Sequence, residues 1–599
     1  MSAYNSWNRV PNSSSYYLLT EILRNRWSFQ GYVYSDWGAI DMLHTFQHTA
    51  SSQTEAAIQA ISAGLDVEAS SECFPHLIAM VKEKKIDEKL IDKAVSRVLL
   101  AKFRMGLFED PYGEKYEAQS LHSRENIRVA RQIADESTVL LKNDKGLLPL
   151  NLSELNSIAV IGPNADQVQF GDYTWSRTNK DGVTPLEGIR KLTEPFGIQI
   201  RYAQGCSMMS LDTIHIASAV EAARQSDVAI LFCGSSSASL ARDYNETNCG
   251  EGFDLADLAL TGAQEKLIKA IHATGKPVIL VLVTGKPFSI AWEKKHIPAI
   301  LIQWYAGEQE GSSIANILFG KTNPSGHLTV SFPQSSGHLP AYYNHLPTDR
   351  GFYHKPGSYE QPGRDYVFSS PGPLWAFGHG LTYTTFNYTD MQIQQSIDSI
   401  KVFVTVKNTG RWAGKAVPQL YVRDVFSSIS TPVKQLKAFN KVALEPGETT
   451  RVPLHFAVQD LALTDEAGKT MVEPGSFEIM IGDASDHILL KQTISIGQNM
   501  AVSPCSIKEQ LPEEIGKGNI IHIKGVVRDV QATPVDKVEI YSTAQQQVIG
   551  VTDQNGKYFI DAPEDDVLVF CKSGYLDEKV NVDRKNDIQI TIRNKMVFP

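Results

Sequence analysis

Cysteine is scarce in this sequence. Six are spread over 599 residues (Cys73, Cys206, Cys233, Cys249, Cys505 and Cys571), each standing alone without C-x-x-C spacing. That spread excludes a paired-cysteine zinc site and a disulfide scaffold, and buried free thiols are the expected use. Long apolar runs are missing too. No stretch reaches about 18 consecutive apolar residues, so no helix is expected to span a bilayer. There is no basic excess: 67 acidic side chains face 57 basic ones, a net charge of −10. Nucleic acid is not an expected partner, because phosphate contacts need clustered Lys and Arg. The opening Met1-Ser-Ala-Tyr-Asn5 carries neither a basic n-region nor an apolar h-region. No export signal is legible, and the compartment stays open.

What is present is ordinary globular composition, 42% hydrophobic and 21% charged, which excludes wholesale disorder. At roughly 150 residues per domain the length allows about four domains. The first hundred residues read as β/α units. A helical segment, Tyr16 to Arg26, precedes the β-rich Gly31-Tyr-Val-Tyr-Ser-Asp36 and a glycine turn at Gly38. An amphipathic stretch from Glu55 to Ala63 leads into Gly64-Leu-Asp-Val67. A long helix follows, roughly Asp87 to Met105, with Asp87 as N-cap and Ile91, Ala94, Val95, Val98 and Leu99 on one stripe.

The expected organisation is multidomain, α/β plus all-β. Residues 1–107 form part of a (β/α) barrel, and 108–122 a linker. Residues 123–339 form an α/β sandwich, with continuous apolar strands at Ile158–Ile161, Ile198–Tyr202, Val228–Phe232, Val278–Val283 and Ala299–Ile302. Continuous rather than alternating runs suit parallel strands buried on both faces. Helices are expected at Pro185–Leu192, Thr213–Ala223, Ala263–Ala273 and Gly311–Leu318. An irregular connector (340–395) precedes a β-sandwich (396–500), a linker (501–517) and a small C-terminal β-sandwich (518–599). In that last unit Thr552-Asp-Gln-Asn-Gly556 marks a hairpin.

Two carboxylates draw interest. Asp36 ends a strand, and in a β/α barrel such positions face the mouth where active sites lie. It could equally cap the segment that begins at Gly38. Glu251 sits between glycines in Asn248-Cys-Gly-Glu-Gly-Phe-Asp254, a non-periodic stretch that reads as a mobile loop able to reach a neighbour's cleft. Asp243, Glu246, Asp254 and Asp257 compete with it, and a solvated loop charge suits any of them. Glu308 and Glu310 precede a helix, where the macrodipole favours acids for structural reasons.

Gly31-Tyr-Val-Tyr-Ser-Asp-Trp-Gly-Ala39 resembles the nucleophile segment of glycoside hydrolase family 3, the β-glucosidase and β-xylosidase family. Further segments follow in the family's order. They include Ala63-Gly-Leu-Asp66, Glu136-Ser-Thr-Val-Leu-Leu-Lys-Asn143, Leu147-Leu-Pro-Leu150, Ala159-Val-Ile-Gly-Pro-Asn-Ala165, Trp304-Tyr-Ala-Gly-Glu-Gln-Glu-Gly311 and Phe377-Gly-His-Gly-Leu-Thr-Tyr383. The match runs to about residue 498. The resemblance implies a barrel, an α/β sandwich and a fibronectin-III-like β-sandwich. It implies a retaining exo-glycosidase releasing terminal β-linked glucose or xylose, with a carbohydrate substrate and neither cofactor nor metal. Asp36 matches the nucleophile and Glu251 the acid/base. Met1 and Tyr4 match positions lining the sugar pocket, and Trp37 flanks the aglycone side. In the last unit, Gly525-Val-Val-Arg-Asp529, Pro534-Val-Asp-Lys-Val538 and Thr552-Asp-Gln-Asn-Gly-Lys-Tyr558 resemble the carboxypeptidase-regulatory-like β domain, with spacer as its default role.

One departure from the family stands out. A complete barrel takes roughly 250 residues, and about 105 hold only about three of its eight units. The strands leading to Tyr4, Asp36 and Asp66 are expected to be the last three, and the family's pocket aspartate, arginine and Lys-His pair are not seen. Lys295-His296 ends a helix-like stretch instead. A truncated gene or a misplaced start is the expectation, with residues 1–105 marginal alone and 123–500 folding well. The alternative function is a catalytically inactive truncated fragment acting as a binding or structural module. Oligomeric state is not legible.

Overall fold

The computed structural model describes residues 1–112, 122–176, 178–237, 246–347, 366–497, 500–501, 520–529, 532–542, 547–563, 566–572, 578–582 and 587–591. The chain divides into two units, Met1–Val502 and Ser503–Pro599.

The centre of the first unit is a six-stranded sheet. Its strands in chain order are β1 (Val139–Asn143), β2 (Ser157–Ile161), β3 (Gln199–Ala203), β4 (Val228–Gly234), β5 (Val278–Val283) and β6 (Ala299–Gln303), arranged β1-β6-β5-β4-β2-β3. All pairs are parallel except β1 with β6. Strands β2, β4, β5 and β6 are buried at every residue, as two-sided packing demands of unbroken Val, Ile and Leu. Helices Ile216–Arg224 and Gln264–His272 cover one face, while Pro185–Thr193 and Glu310–Leu318 cover the other. The last two cross so closely that a Cβ on Gly311 would stand 1.9 Å from the Thr184 carbonyl oxygen. The sequence reading omitted β1, an antiparallel edge strand, and the helix Arg124–Ser137; the helix-like stretch that it ended at Lys295-His296 is the six-residue helix Ala291–His296.

The first 112 residues pack a smaller core around Leu19, Val33, Ile40, Leu43, Ala60 and Leu65. Three extended segments lie side by side. Ser2 N donates to the Tyr34 carbonyl at 2.9 Å, Asp66 N to that of Val33 at 2.9 Å, and Ser35 N to that of Val67 at 2.9 Å. Tyr34 and Val67 pair in parallel. Behind them stand a π-helix (Tyr17–Arg26) and the α-helices Gln53–Ala63 and Glu88–Arg104. Asp87 caps the last by accepting Lys89 N at 3.0 Å. The Asp66 carboxylate clamps the group together. It accepts from Arg24 at 2.5 Å, Val33 N at 2.7 Å and Arg97 at 2.7 Å, with its side chain 1% exposed. The stripe expected on Glu88–Arg104 departs from prediction: Ala94 is buried, but Val95 and Leu99 are exposed. Trp27, Phe46, Ile78, Phe103 and Met105 are exposed as well, leaving this region with much uncovered apolar surface.

A β-sandwich follows. Thr449–Ala457, Ser399–Asn408 and Phe386–Gln395 form one sheet. Gln435–Phe439, Gln419–Asp424, Gly475–Ala484 and His487–Ile496 form the other. Between them lie Ile400, Val402, Val404, Leu420, Phe456 and Ile479. The segment expected to be irregular up to 395 therefore contains a ten-residue strand at its end, because Tyr388 joins this core. Glu136, on the helix Arg124–Ser137, ties the sandwich to the α/β region through Lys415 (2.5 Å) and Lys441 (3.2 Å).

Among its described residues the second unit is all-β, with one sheet of three strands and one of four around Ile523, Val538, Ile540, Leu568 and Phe570. Asp553 N donates to the Lys557 carbonyl and Gly556 N to that of Asp553, so the turn expected at Thr552–Gly556 is there. It does not join a hairpin. Gln547–Val551 pairs with Glu539–Ser542, whereas Lys557–Pro563 pairs with Ile520–Arg528 in the other sheet, which makes the turn a corner between sheets. Cys73, Cys206, Cys233 and Cys249 are buried free thiols and Cys571 is half-buried; Cys505 lies outside the described residues. No described helix is long and apolar enough to cross a membrane.

Candidate active site

In the central sheet, β2 has β3 on one side and β4 on the other, so the chain reverses its winding between β2 and β4. Loops leaving the carboxyl ends of strands at such a switch point diverge and leave a crevice, where open α/β sheets bind ligands. Asn164 Nδ2 spans that crevice, donating to the Ser235 carbonyl at 3.0 Å. The loop after β2 carries Gly171-Asp-Tyr-Thr-Trp175, and the loop after β4 carries Asn248 to Asp254.

Glu251 stands on the second loop between Gly250 (φ 100°) and Gly252 (φ 78°), left-handed conformations that favour glycine. The loop is fastened on both sides of it. Asn248 N donates to the Ser236 carbonyl, Asn248 Nδ2 donates to Thr261 at 2.8 Å, and Lys286 Nζ donates to the Phe253 carbonyl at 3.0 Å. The anchorage differs from the mobile loop expected of the sequence. Glu251 itself is exposed. Its backbone N–H donates to the Asp172 carboxylate at 2.9 Å, and its own carboxylate accepts from the Tyr173 hydroxyl.

Asp36 lies where the segment Val33–Ser35 ends. Its carboxylate accepts Trp37 N at 2.7 Å, while the helix that follows starts only at Met42, so Asp36 caps no helix. Trp37 is 69% exposed. The Tyr4 hydroxyl donates to the Trp37 carbonyl at 2.9 Å. Burial raises the Tyr4 phenol above its usual range, and the Asp36 carboxylate and then the Glu251 charge raise it further. Tyr173 is pushed up to about 12, first by its hydrogen bond to Glu251, then by burial and by the charges of Glu251, Asp172 and Tyr4. Asp36, Tyr4, Glu251 and Tyr173 therefore form one electrostatic neighbourhood, assembled from two regions of the chain.

Met1 takes no part in these hydrogen bonds and is 82% exposed. Of the competing acids Asp254 is exposed, and two others accept hydrogen bonds elsewhere. Glu246 accepts Met208 N at 2.8 Å, and Asp257 accepts Ala259 N and the Ser336 hydroxyl; Asp243 lies outside the described residues. Glu310 is fully buried, which raises its carboxyl well above the ordinary range, and it accepts Gln169 N at 2.6 Å. Glu308 accepts from His122 at 2.7 Å. Asp172 and Tyr173 escaped the sequence reading, although a cluster of aromatics in a non-periodic loop after a buried strand was a signal for them. Among the described residues no group of three or more His, Cys, Asp or Glu could hold a metal ion.

Comparison with known proteins identifies the family. Residues 1–101 match the glycosyl hydrolase family 3 N terminal domain, 138–383 the glycosyl hydrolase family 3 C-terminal domain, and 416–485 a fibronectin type III-like domain. The chain belongs to glycosyl hydrolase family 3. A β-xylosidase of Formosa agariphila is 36% identical over 517 residues, covering 83% of this chain and 68% of that protein. A periplasmic β-glucosidase of Salmonella typhimurium is 36% identical over 523 residues, covering 82% and 66%. Among solved structures, a β-glucosidase from Erythrobacter marinus superposes with a TM-score of 0.75 at 36% identity, covering 82% of this chain and 67% of its own. A β-glucosidase from Listeria innocua, solved with isofagomine, gives 0.74 at 33% identity, covering 83% and 68%. This family 3 glycosidase chain thus spans about two thirds of the length of these relatives.

Proposed function

We propose that this family 3 glycosidase is a retaining, exo-acting enzyme that releases terminal β-linked glucose or xylose from oligosaccharides or glycosides. Asp36 is the nucleophile that attacks the anomeric carbon. Glu251 protonates the departing oxygen and then activates the water that hydrolyses the glycosyl-enzyme. Tyr4 and Met1 line the sugar pocket, and Trp37 offers its exposed face to the aglycone. Retaining glycosidases need two carboxyls about 5–5.5 Å apart, one to form the covalent intermediate and one to move the proton. The supporting observation is that one phenol, Tyr4, is acted on by both Asp36 and Glu251 although 215 positions separate them in sequence (251 − 36). The two sugars are supported by the relatives, a β-xylosidase and a β-glucosidase.

In the same reading, residues 1–107 are the last three units of a β/α barrel, supported by the parallel pairing of Tyr34 with Val67 and by the hydrogen bond from Ser2 N to the Tyr34 carbonyl. The second unit is a carboxypeptidase-regulatory-like β domain acting as a spacer, supported by its two small sheets.

The test is turnover of an aryl β-glucoside and an aryl β-xyloside by the purified chain and by Asp36→Ala. Loss of the nucleophile is expected to lower kcat by roughly a thousandfold or more. Equal rates for parent and variant would remove Asp36 from the mechanism. A second reading, a carbohydrate-binding module without turnover, is favoured by the exposed Trp27, Phe46 and Met105. Oligosaccharide binding with no hydrolysis of either glycoside would select it.

A further inference from the structure

We propose that Tyr173, held by Asp172, is a positioning residue that decides which oxygen of Glu251 delivers the proton. This rests on the reading of Glu251 as acid/base.

A carboxyl that must donate one proton in one direction has two oxygens, and free rotation would present the wrong one half the time. The Tyr173 hydroxyl donates to Glu251 Oε2, so that oxygen acts as an acceptor. The transferable proton is then carried on Oε1. As the bond between the anomeric carbon and the glycosidic oxygen breaks, Asp36 bonds to the carbon and the Oε1 proton passes to the leaving oxygen. The carboxylate left behind keeps the Tyr173 hydrogen bond, which is stronger to a charged acceptor than to a neutral one. The phenol retains its own proton throughout, being pushed up to about 12.

Position follows from the backbone. Asp172 accepts Tyr173 N at 3.0 Å on one carboxylate oxygen and Glu251 N at 2.9 Å on the other. One side chain thus fixes the φ 52° turn that carries the phenol and the glycine-flanked residue that receives it. Asp172 and Tyr173 reach Glu251 from the neighbouring strand's loop, across the switch-point crevice.

The experiment compares the full chain with Tyr173→Phe and Glu251→Gln on aryl glycosides whose leaving groups range from phenol to 2,4-dinitrophenol. Proton delivery matters for phenol and hardly for dinitrophenol. General acid catalysis is worth roughly 100- to 10,000-fold, and a displaced acid should forfeit part of that. Tyr173→Phe is expected to lose roughly tenfold or more in kcat/KM on the phenyl glycoside and less than about threefold on the dinitrophenyl glycoside. Equal losses on both, or none, would overturn the proposal. Leaving-group dependence missing in Glu251→Gln would instead remove the acid/base assignment on which the proposal stands. A second measurement needs no turnover. With ¹³C-labelled tyrosine, the resonance absent from Tyr173→Phe should titrate near 12 in the parent and fall toward 10 in Glu251→Gln. Titration at 10 in the parent would overturn the hydrogen bond and the proposal with it.

Discussion

Glu251 donates its backbone N–H to the carboxylate of Asp172 at 2.9 Å, a contact between loops 79 residues apart in sequence. Because that bond fixes the main chain of Glu251, the side chain's reach is set by two torsions on either side of it. Those torsions belong to glycines with positive φ.

Gly252→Ala tests that arrangement. A Cβ there meets no atom within 4 Å, so its penalty is conformational alone. A left-handed alanine costs about 1–2 kcal/mol, which the exposed loop can relieve by shifting Glu251. Activity toward a phenyl glycoside is expected to fall roughly tenfold with Tm nearly unchanged. A drop in Tm of more than about 4 °C with full activity would contradict it.

Asp66→Asn should unfasten the first 105 residues. The change removes the one buried negative charge between two guanidinium groups, Arg24 and Arg97, and breaking such an arrangement typically costs about 3–5 kcal/mol. Limited proteolysis is expected to cut residues 1–105 much faster in the variant, while 123–500 stays protected. Protection of both regions at parental rates would refute the clamp.

Stability in acid should track Glu136. Burial favours its neutral form, but the Lys415 hydrogen bond and the Gln132 and Lys441 interactions outweigh that and hold it at about 2, below its ordinary 4.5. A folded-state value below the unfolded one stabilises above pH 4.5, and the contribution is lost as pH falls from there toward 2. Glu136→Gln is expected to cost roughly 1–2 kcal/mol at pH 7, discounted for partial exposure, and nothing at pH 2. Thermal melts of both proteins across pH 2–7 check this, and parallel curves would exclude it.

Gly311→Ala should damage the α/β region directly. The added methyl would meet the Thr184 carbonyl oxygen at 1.9 Å, which only separation of two helices can relieve. Overpacking of this kind costs about 1–3 kcal/mol. Denaturant unfolding that leaves the midpoint unchanged would show that the helices are not seated as described.

How much of this was legible from sequence differs by element. Strands β2, β4, β5 and β6 announce themselves, because two-sided burial leaves apolar residues uninterrupted, as from Val278 to Val283. Strand β1 does not, since Val139–Asn143 is an edge strand ending in half-buried Lys142 and Asn143. Glu251 and Asp36 were visible through their neighbours, a glycine on each side of one and a strand end before the other. Asp172 and Tyr173 had only the aromatic cluster of their loop to mark them, since their role depends on which strands lie side by side, and strand order leaves no mark on local periodicity. The exposed Val95 and Leu99 were misread for a related reason: an apolar stripe shows that a helix has a face to cover, and says nothing of whether anything covers it.

The Leu141 carbonyl accepts both the Trp375 indole (3.1 Å) and His379 (3.0 Å), and Leu381 pairs with Leu140, so the outer margin of β1 is stoppered by the chain itself. Among the described residues the sheet is therefore open to extension at one margin, along β3, where Gln199 and Tyr202 face solvent. Any strand-to-strand association between copies of the α/β region, in a crystal or an aggregate, has a single place to begin.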